Sequence, residues 1–205
     1  MKVRSNMEQA EIFVFIASFF LIALGFKEPE KPPPPSPPPQ EKKEELPPII
    51  LFPESSKFKF ASGQAELNPD FKTYISNELA KEILKITQQH DVDAIEVIGH
   101  TDGQPIGGAE SNLDDNLEKV NFNQLPLSEL QPASNTDLGI MRALAVVQEL
   151  KKSRGKIAKL NFRAYSAGQL LLEDGSPAPI DKEDTPERRR IEIRFTKLGK
   201  TKTIE

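Results

Sequence analysis

Few residues in this chain have types and spacings that could do chemistry. His100 and Asp102 stand two apart in the run GHTD, residues 99 to 102, with no evident nucleophile beside them. The run GQPIGG, residues 103 to 108, lacks the lysine of a phosphate-binding loop and reads as a flexible loop. There is no Cys, which excludes disulfides, thiolate catalysis and Cys-based zinc sites. Two His, His90 and His100, are too few for a His-rich metal cage, so no metal and no cofactor are expected. No catalytic set stands out, and no enzyme activity is expected. Asp102 and Arg142 are the more informative pair. An anion facing a guanidinium beside a helix N-terminus suits the head group of a free amino acid, with the ammonium on Asp102 and the carboxylate on Arg142. The same two residues could equally form a structural salt bridge, and on pattern alone that is the simpler reading.

Both residues need elements that bring them together. AIEVIG, residues 94 to 99, is a short strand, and Asp102 lies just past its end. Ser134-Asn135-Thr136-Asp137 is a dense N-cap cluster. Leu138, Met141, Leu144, Ala145 and Val147 then mark an amphipathic helix to about residue 152, with Arg142 in its first turns. Upstream, FKFASGQ at residues 58 to 64 alternates and reads as a strand. Asn68-Pro69 starts a helix whose stripe is Phe71, Ile75, Leu79, Ile83 and Ile86, ending near residue 89. LNFRAY at residues 160 to 165 and IEIRF at residues 191 to 195 are further strands. Residues 103 to 133 show little periodicity, with five acids and one base, and read as a long loop able to cover a nearby site. The order strand, helix, strand, helix, strand, strand predicts an α/β fold with two helices on one face of a small mixed sheet.

The 205 residues divide into three zones. Residues 12 to 26 read IFVFIASFFLIALGF, with Ser18 the only polar side chain. Ten of the 18 prolines lie between Pro29 and Pro48, a composition that cannot bury a core. As polyproline II, residues 27 to 48 would span up to about 65 to 70 Å. Residues 49 to 205 have the composition of a soluble domain. Lys and Arg number 27 against 31 Asp and Glu, for a net charge of -4, which argues against a nucleic-acid partner.

The 15-residue apolar run would be about 22 Å long as a helix, short of the roughly 30 Å hydrocarbon core. One reading is a signal peptide, with Lys2 and Arg4 as its basic region and Ala23-Leu24-Gly25 as the cleavage motif. The other is an uncleaved anchor over residues 11 to 26, completed by drawing residues 7 to 11 into the inner leaflet. Glu8 and Glu11 directly before the run fit the anchor better. Positive charge at the start then leaves residues 1 to 10 in the cytoplasm and exports the rest, an inner-membrane, single-pass topology with a periplasmic domain.

GHTD at residues 99 to 102, SNTDLGIMRA at residues 134 to 143 and RRRIEI at residues 188 to 193 resemble, in order and spacing, the OmpA-like peptidoglycan-binding domain. FASGQAEL at residues 60 to 67 agrees, and the resemblance spans nearly all of residues 52 to 197. It implies that Asp102 and Arg142 hold the diaminopimelate of the peptidoglycan stem peptide. By the same match Thr101, Asn135 and Arg189 belong to the site. Gly139 stands where the family usually has Ser, and Arg188 replaces the Asn of its N-R-R motif.

The apolar run resembles the span of the flagellar stator family typified by MotB, in which an Asp at the start of the span is followed eight residues later by F-F-L. Here Glu11 is followed eight residues later by Phe19-Phe20-Leu21. The resemblance implies that Glu11 carries protons, since a carboxylate drawn into lipid is costly when ionised and loads a proton near neutral pH. It further implies a homodimer inside a ring of multi-span MotA-like partners, in a flagellar motor or a relative such as the Zorya anti-phage systems. The family's plug helix is replaced by the proline spacer. A passive peptidoglycan anchor without an ion path is the alternative.

Overall fold

The computed structural model describes residues 45 to 204 apart from 55, 56 and 109. The N-terminal segment 1 to 10, the span 11 to 26 with Glu11, and nearly all of the linker 27 to 48 lie outside these residues. Among the described residues no helix is long and apolar enough to cross a membrane.

The first helical run begins where Asn68 and Pro69 place it: Asn68 Oδ1 accepts the Phe71 N–H at 2.8 Å and Pro69 occupies the first turn. Helix α1 (Pro69–Tyr74) passes through a π-helical turn (Ile75–Leu79) into helix α2 (Ala80–Gln89). The apolar stripe explains that turn. Phe71, Ile75, Leu79 and Ile83 recur every four residues, which on a regular α-helix drifts by about 40° per step. The wider π winding cancels the drift, and all four side chains stay at 1% exposure or less.

Strands β1 (Ile50–Pro53), β2 (Ala94–His100), β3 (Phe162–Gly168) and β4 (Arg190–Thr196) form one sheet in the order β1-β4-β2-β3. β2 runs parallel to β3, and the β1–β4 and β2–β4 pairs are antiparallel. The expected mixed sheet is present. Alternation sorts its faces. Ile95, Val97, Ile191, Ile193 and Phe195 turn to the core, where they meet the helical run and Ala143, Val146 and Leu150. The other face carries Arg190, Glu192 and Arg194, with His100 beside them.

Two expectations need correction. FKFASGQ is not a strand: the first strand lies upstream at Ile50–Pro53, an edge position where Pro53 is tolerated. Phe58 and Phe60 pack their rings against Phe52, Phe71 and Tyr74 instead, and Phe60 makes only an isolated bridge to Leu67. Nor are residues 103 to 133 a structureless loop. They contain helix α3 (Leu113–Asn121) and a 3-10 turn (Leu127–Glu129), so the helices number more than two. Asn112 closes this insertion, exchanging backbone and side-chain hydrogen bonds with Glu129 and Gln131. Leu113, Val120 and Leu130 form a second small core with Leu138, Met141 and Leu144. Those last three lie on helix α4 (Asn135–Lys152).

Candidate functional site

Helix α4 starts on a full capping box. Ser134 Oγ accepts the Asp137 N–H at 3.1 Å, and Asp137 Oδ2 accepts the Ser134 N–H at 3.2 Å. The helix then lies against β2 at very short range. A Cβ on Gly99 would fall 2.0 Å from the Gly139 carbonyl oxygen, so only glycine at 99 allows this approach. At Gly139, where the resemblance implies Ser, the neighbour is a side chain on β3: a Cβ there would meet Ser166 Oγ at 2.2 Å. Asn135 ties the helix start to the loop after β2, its Nδ2 donating to the carbonyls of Asp102 (3.2 Å) and Gln104 (3.1 Å).

This packing opens a cavity of about 480 Å³ at the strand end. Its lining includes Thr101, Asp102, Asn135, Arg142 and Arg189, so all five residues expected in the domain's site come together. Their pairing differs from the simplest expectation. Asp102 forms no salt bridge with Arg142. Its Oδ2 takes Nη1 of Arg189, and the same Nη1 reaches Asp184 while Nε reaches Glu54. Glu54 lay outside the sequence reading. Its one signal is an acid directly after the apolar run IILFP.

Arg142 is 3% exposed and is held flat, its guanidinium carbon 4.9 Å from the centre of the Phe60 ring. Its Nε donates to the Gln64 carbonyl at 3.1 Å, and no described residue accepts from either Nη. Burial pushes its pKa down to about 10, opposed in part by Glu54 and Asp102, so the group is cationic at neutral pH. Thr101 Oγ1 is likewise buried without a partner among the described residues. Asp102 Oδ1 receives only a long bond from the Gln104 N–H, at 3.3 Å, and keeps lone pairs free. Burial opposes the charge on Arg189, but its hydrogen bonds to Asp184, Glu54 and Asp102 outweigh that and raise its pKa. One arginine is therefore consumed in holding the acids in place, and the other points open donors into the cavity. Such a site can take a ligand group bearing a carboxylate and an ammonium side by side.

Arg188, where the resemblance implies Asn, does not enter the cavity. It is buried behind it, with Nη1 on Asp181 (2.7 Å) and Nη2 on the Gln169 carbonyl (2.6 Å). His100 is fully buried and its Nε2–H donates to Glu192 at 3.0 Å. Burial and the nearby Arg190 push its pKa down to about 4, against the pull of Glu192. His100 thus belongs to a neutral, structural contact. Among the described residues no cluster of three His, Cys, Asp or Glu could hold a metal.

No family model matches the chain, and no curated protein matches it. Solved structures do. The chain is similar to the periplasmic domain of Helicobacter pylori MotB at 21% identity, covering 72% of this chain and 81% of that one with a TM-score of 0.45. It is similar to a MotB-like protein from Desulfovibrio vulgaris at 17% identity, covering 72% and 75%, TM-score 0.41. It is also similar to the cell wall anchor of the T6SS from Pseudomonas aeruginosa at 20% identity, covering 73% and 81%, TM-score 0.40.

Proposed function

We propose that residues 49 to 205 are a peptidoglycan-binding domain that grips the free amino-acid end of diaminopimelate. The carrying observation is the Arg142 guanidinium, whose Nη nitrogens have no acceptor among the described residues, and the buried unpartnered Thr101 hydroxyl, both lining one cavity with Asp102. The diaminopimelate terminus bears an ammonium and a carboxylate on one carbon. Its carboxylate accepts from Arg142, its ammonium donates to Asp102, and Thr101 completes the shell. A stem peptide carrying lysine instead has no such carboxylate and leaves Arg142 empty. The motifs GHTD and SNTDLGIMRA support the same assignment. Pull-down of the full chain on purified diaminopimelate-type sacculi tests it. Asp102→Ala and Arg142→Ala should each lose about 2 to 5 kcal/mol of binding, because each strands a desolvated charge in the complex. Undiminished binding by both variants refutes the assignment.

The fuller reading is a stator subunit of a proton-driven motor: a homodimer spanning the inner membrane once, ringed by MotA-like partners, with Glu11 as proton carrier. The spacing of Glu11 to Phe19-Phe20-Leu21 favours it over a passive anchor. A Glu11→Gln chain mimics the protonated acid permanently. It should lose ion flow while sacculus binding stays at the parent level. Normal ion flow in that variant would leave the passive anchor as the better account.

A further inference from the structure

A second cavity, of about 700 Å³, lies next to the first and is the larger of the two. Gly63 and Pro132 line both, so they share a rim. Helix α4 supplies the floor of both. Asn135, Leu138 and Arg142 line the first, and Ala145, Glu149 and Lys152 line the second. Those six follow the spacing 3, 4, 3, 4, 3, which is one face of an α-helix. Their Cα positions run along about 25 Å of helix. The two volumes therefore adjoin along one helix face as a two-part trough, meeting at the Gly63–Pro132 rim, and Arg142 stands between them with its Nε on the Gln64 carbonyl. One wall is the segment through Gln64 and Leu67, and the facing wall is the insertion, through Leu125 and Ser128.

The lining of the second half narrows its occupant. Met141 and Ala145 make an apolar floor. The rim pairs Glu66 with Lys72 (3.8 Å) and Glu149 with Lys152 (3.0 Å), so its charge is balanced and does not suit a polyanion. Among the described residues no aromatic ring lines it, so none offers a sugar a stacking face. A neutral channel with an apolar floor and polar walls fits an amide backbone with small side chains.

The geometry points to a peptide subsite: the second half of the trough takes the stem-peptide residues attached to the diaminopimelate held in the first. This rests on the wall-binding reading above and adds to it that the insertion selects peptide over free amino acid. Gly63, on the shared rim, has φ +67°, a backbone conformation that glycine adopts without strain.

The test is calorimetry on the full chain in detergent, with two probes: free meso-diaminopimelate and the tripeptide L-alanyl-γ-D-glutamyl-meso-diaminopimelate. The parent should bind the tripeptide at least about tenfold more tightly, since the added residues contact a second surface. Ser128→Trp and Gln124→Trp, both on the exposed wall, should bring tripeptide affinity down to that of the free amino acid. Neither should change affinity for the free amino acid. Because Ser128 is exposed, Ser128→Trp separates blockage of the trough from damage to the fold. Equal affinity of the parent for both probes, or an undiminished tripeptide advantage in both variants, overturns the subsite and leaves the wall-binding reading standing. Failure of both probes to bind the parent overturns the two together.

Discussion

Arg189→Ala should destabilise the domain by about 3 kcal/mol, the low end for breaking a buried ion pair, because Arg189 keeps some contact with water. Arg189 bridges Glu54, Asp102 and Asp184 through two nitrogens. The Glu54 and Asp102 side chains are 9% and 7% exposed, too little for water to replace the guanidinium. Arg189→Lys should recover only part of the loss, since one ammonium cannot reproduce the spread of Nε and Nη1. The pH dependence has a definite sign. The Arg189 hydrogen bond holds the Asp184 carboxyl below its usual range. Such a group adds stability above its unfolded pKa, and that stability is lost as pH falls through the folded value. The variant lacks this contribution at every pH, so the gap between parent and variant should narrow on acidification. Urea unfolding at pH 7 and again below about pH 3 reads both effects, since the folded Asp184 carboxyl titrates below 3.8. A gap that widens in acid would refute the account.

Gly99→Ala should be of similar severity for a different reason. The added Cβ would lie 2.0, 2.7 and 2.9 Å from the carbonyl oxygen, carbonyl carbon and Cα of Gly139, all backbone atoms that no rotamer change can move. Helix α4 would have to lift from β2, at about 3 kcal/mol, the upper part of the usual overpacking range. Arg142 rides on the same helix one turn later, so sacculus binding should fall with stability. Gly139→Ala is the contrast. Its Cβ meets Ser166 Oγ at 2.2 Å, a hydroxyl that can rotate away, and the Gly99 oxygen at 3.0 Å. About 1 kcal/mol is expected there. Denaturant midpoints should rank Gly99→Ala as clearly the worse, and the reverse ranking would mean that the helix is not seated as described.

These two variants also mark where the sequence is readable. Signals that act within a few residues are plain in it. Asn68-Pro69 and the Ser134 cluster start helices where capping chemistry places them, and the alternation of IEIRF falls within β4. Helix α3 was missed although Leu113, Leu117 and Val120 have helical spacing, because three acids on its wet face hide a nine-residue stripe. β1 escaped notice because four residues at a sheet edge need little alternation and owe their strand conformation to β4. Which residues meet at the cavity was legible from motifs, whereas their pairing was not. Asp102 meets Arg189 across 87 positions and Glu54 meets it across 135, so the path of the chain alone decides which arginine is spent and which stays open.

β1 has a mechanical consequence. The chain enters the domain ahead of β1, with the Glu45 carbonyl on His90 Nδ1 at 3.0 Å, runs along β1, and reaches Glu54, which grips Arg189 at the cavity. In a wall anchor, the part of any tension between the N-terminal side of the domain and a ligand at Arg142 that runs along the axis of β1 passes into the β1–β4 ladder. The β1–β4 hydrogen bonds are perpendicular to that axis, so they are loaded together in shear and not peeled one after another. A four-residue strand used this way resists far more force than its length suggests, and the Glu54–Arg189 contact closes the load path at the cavity.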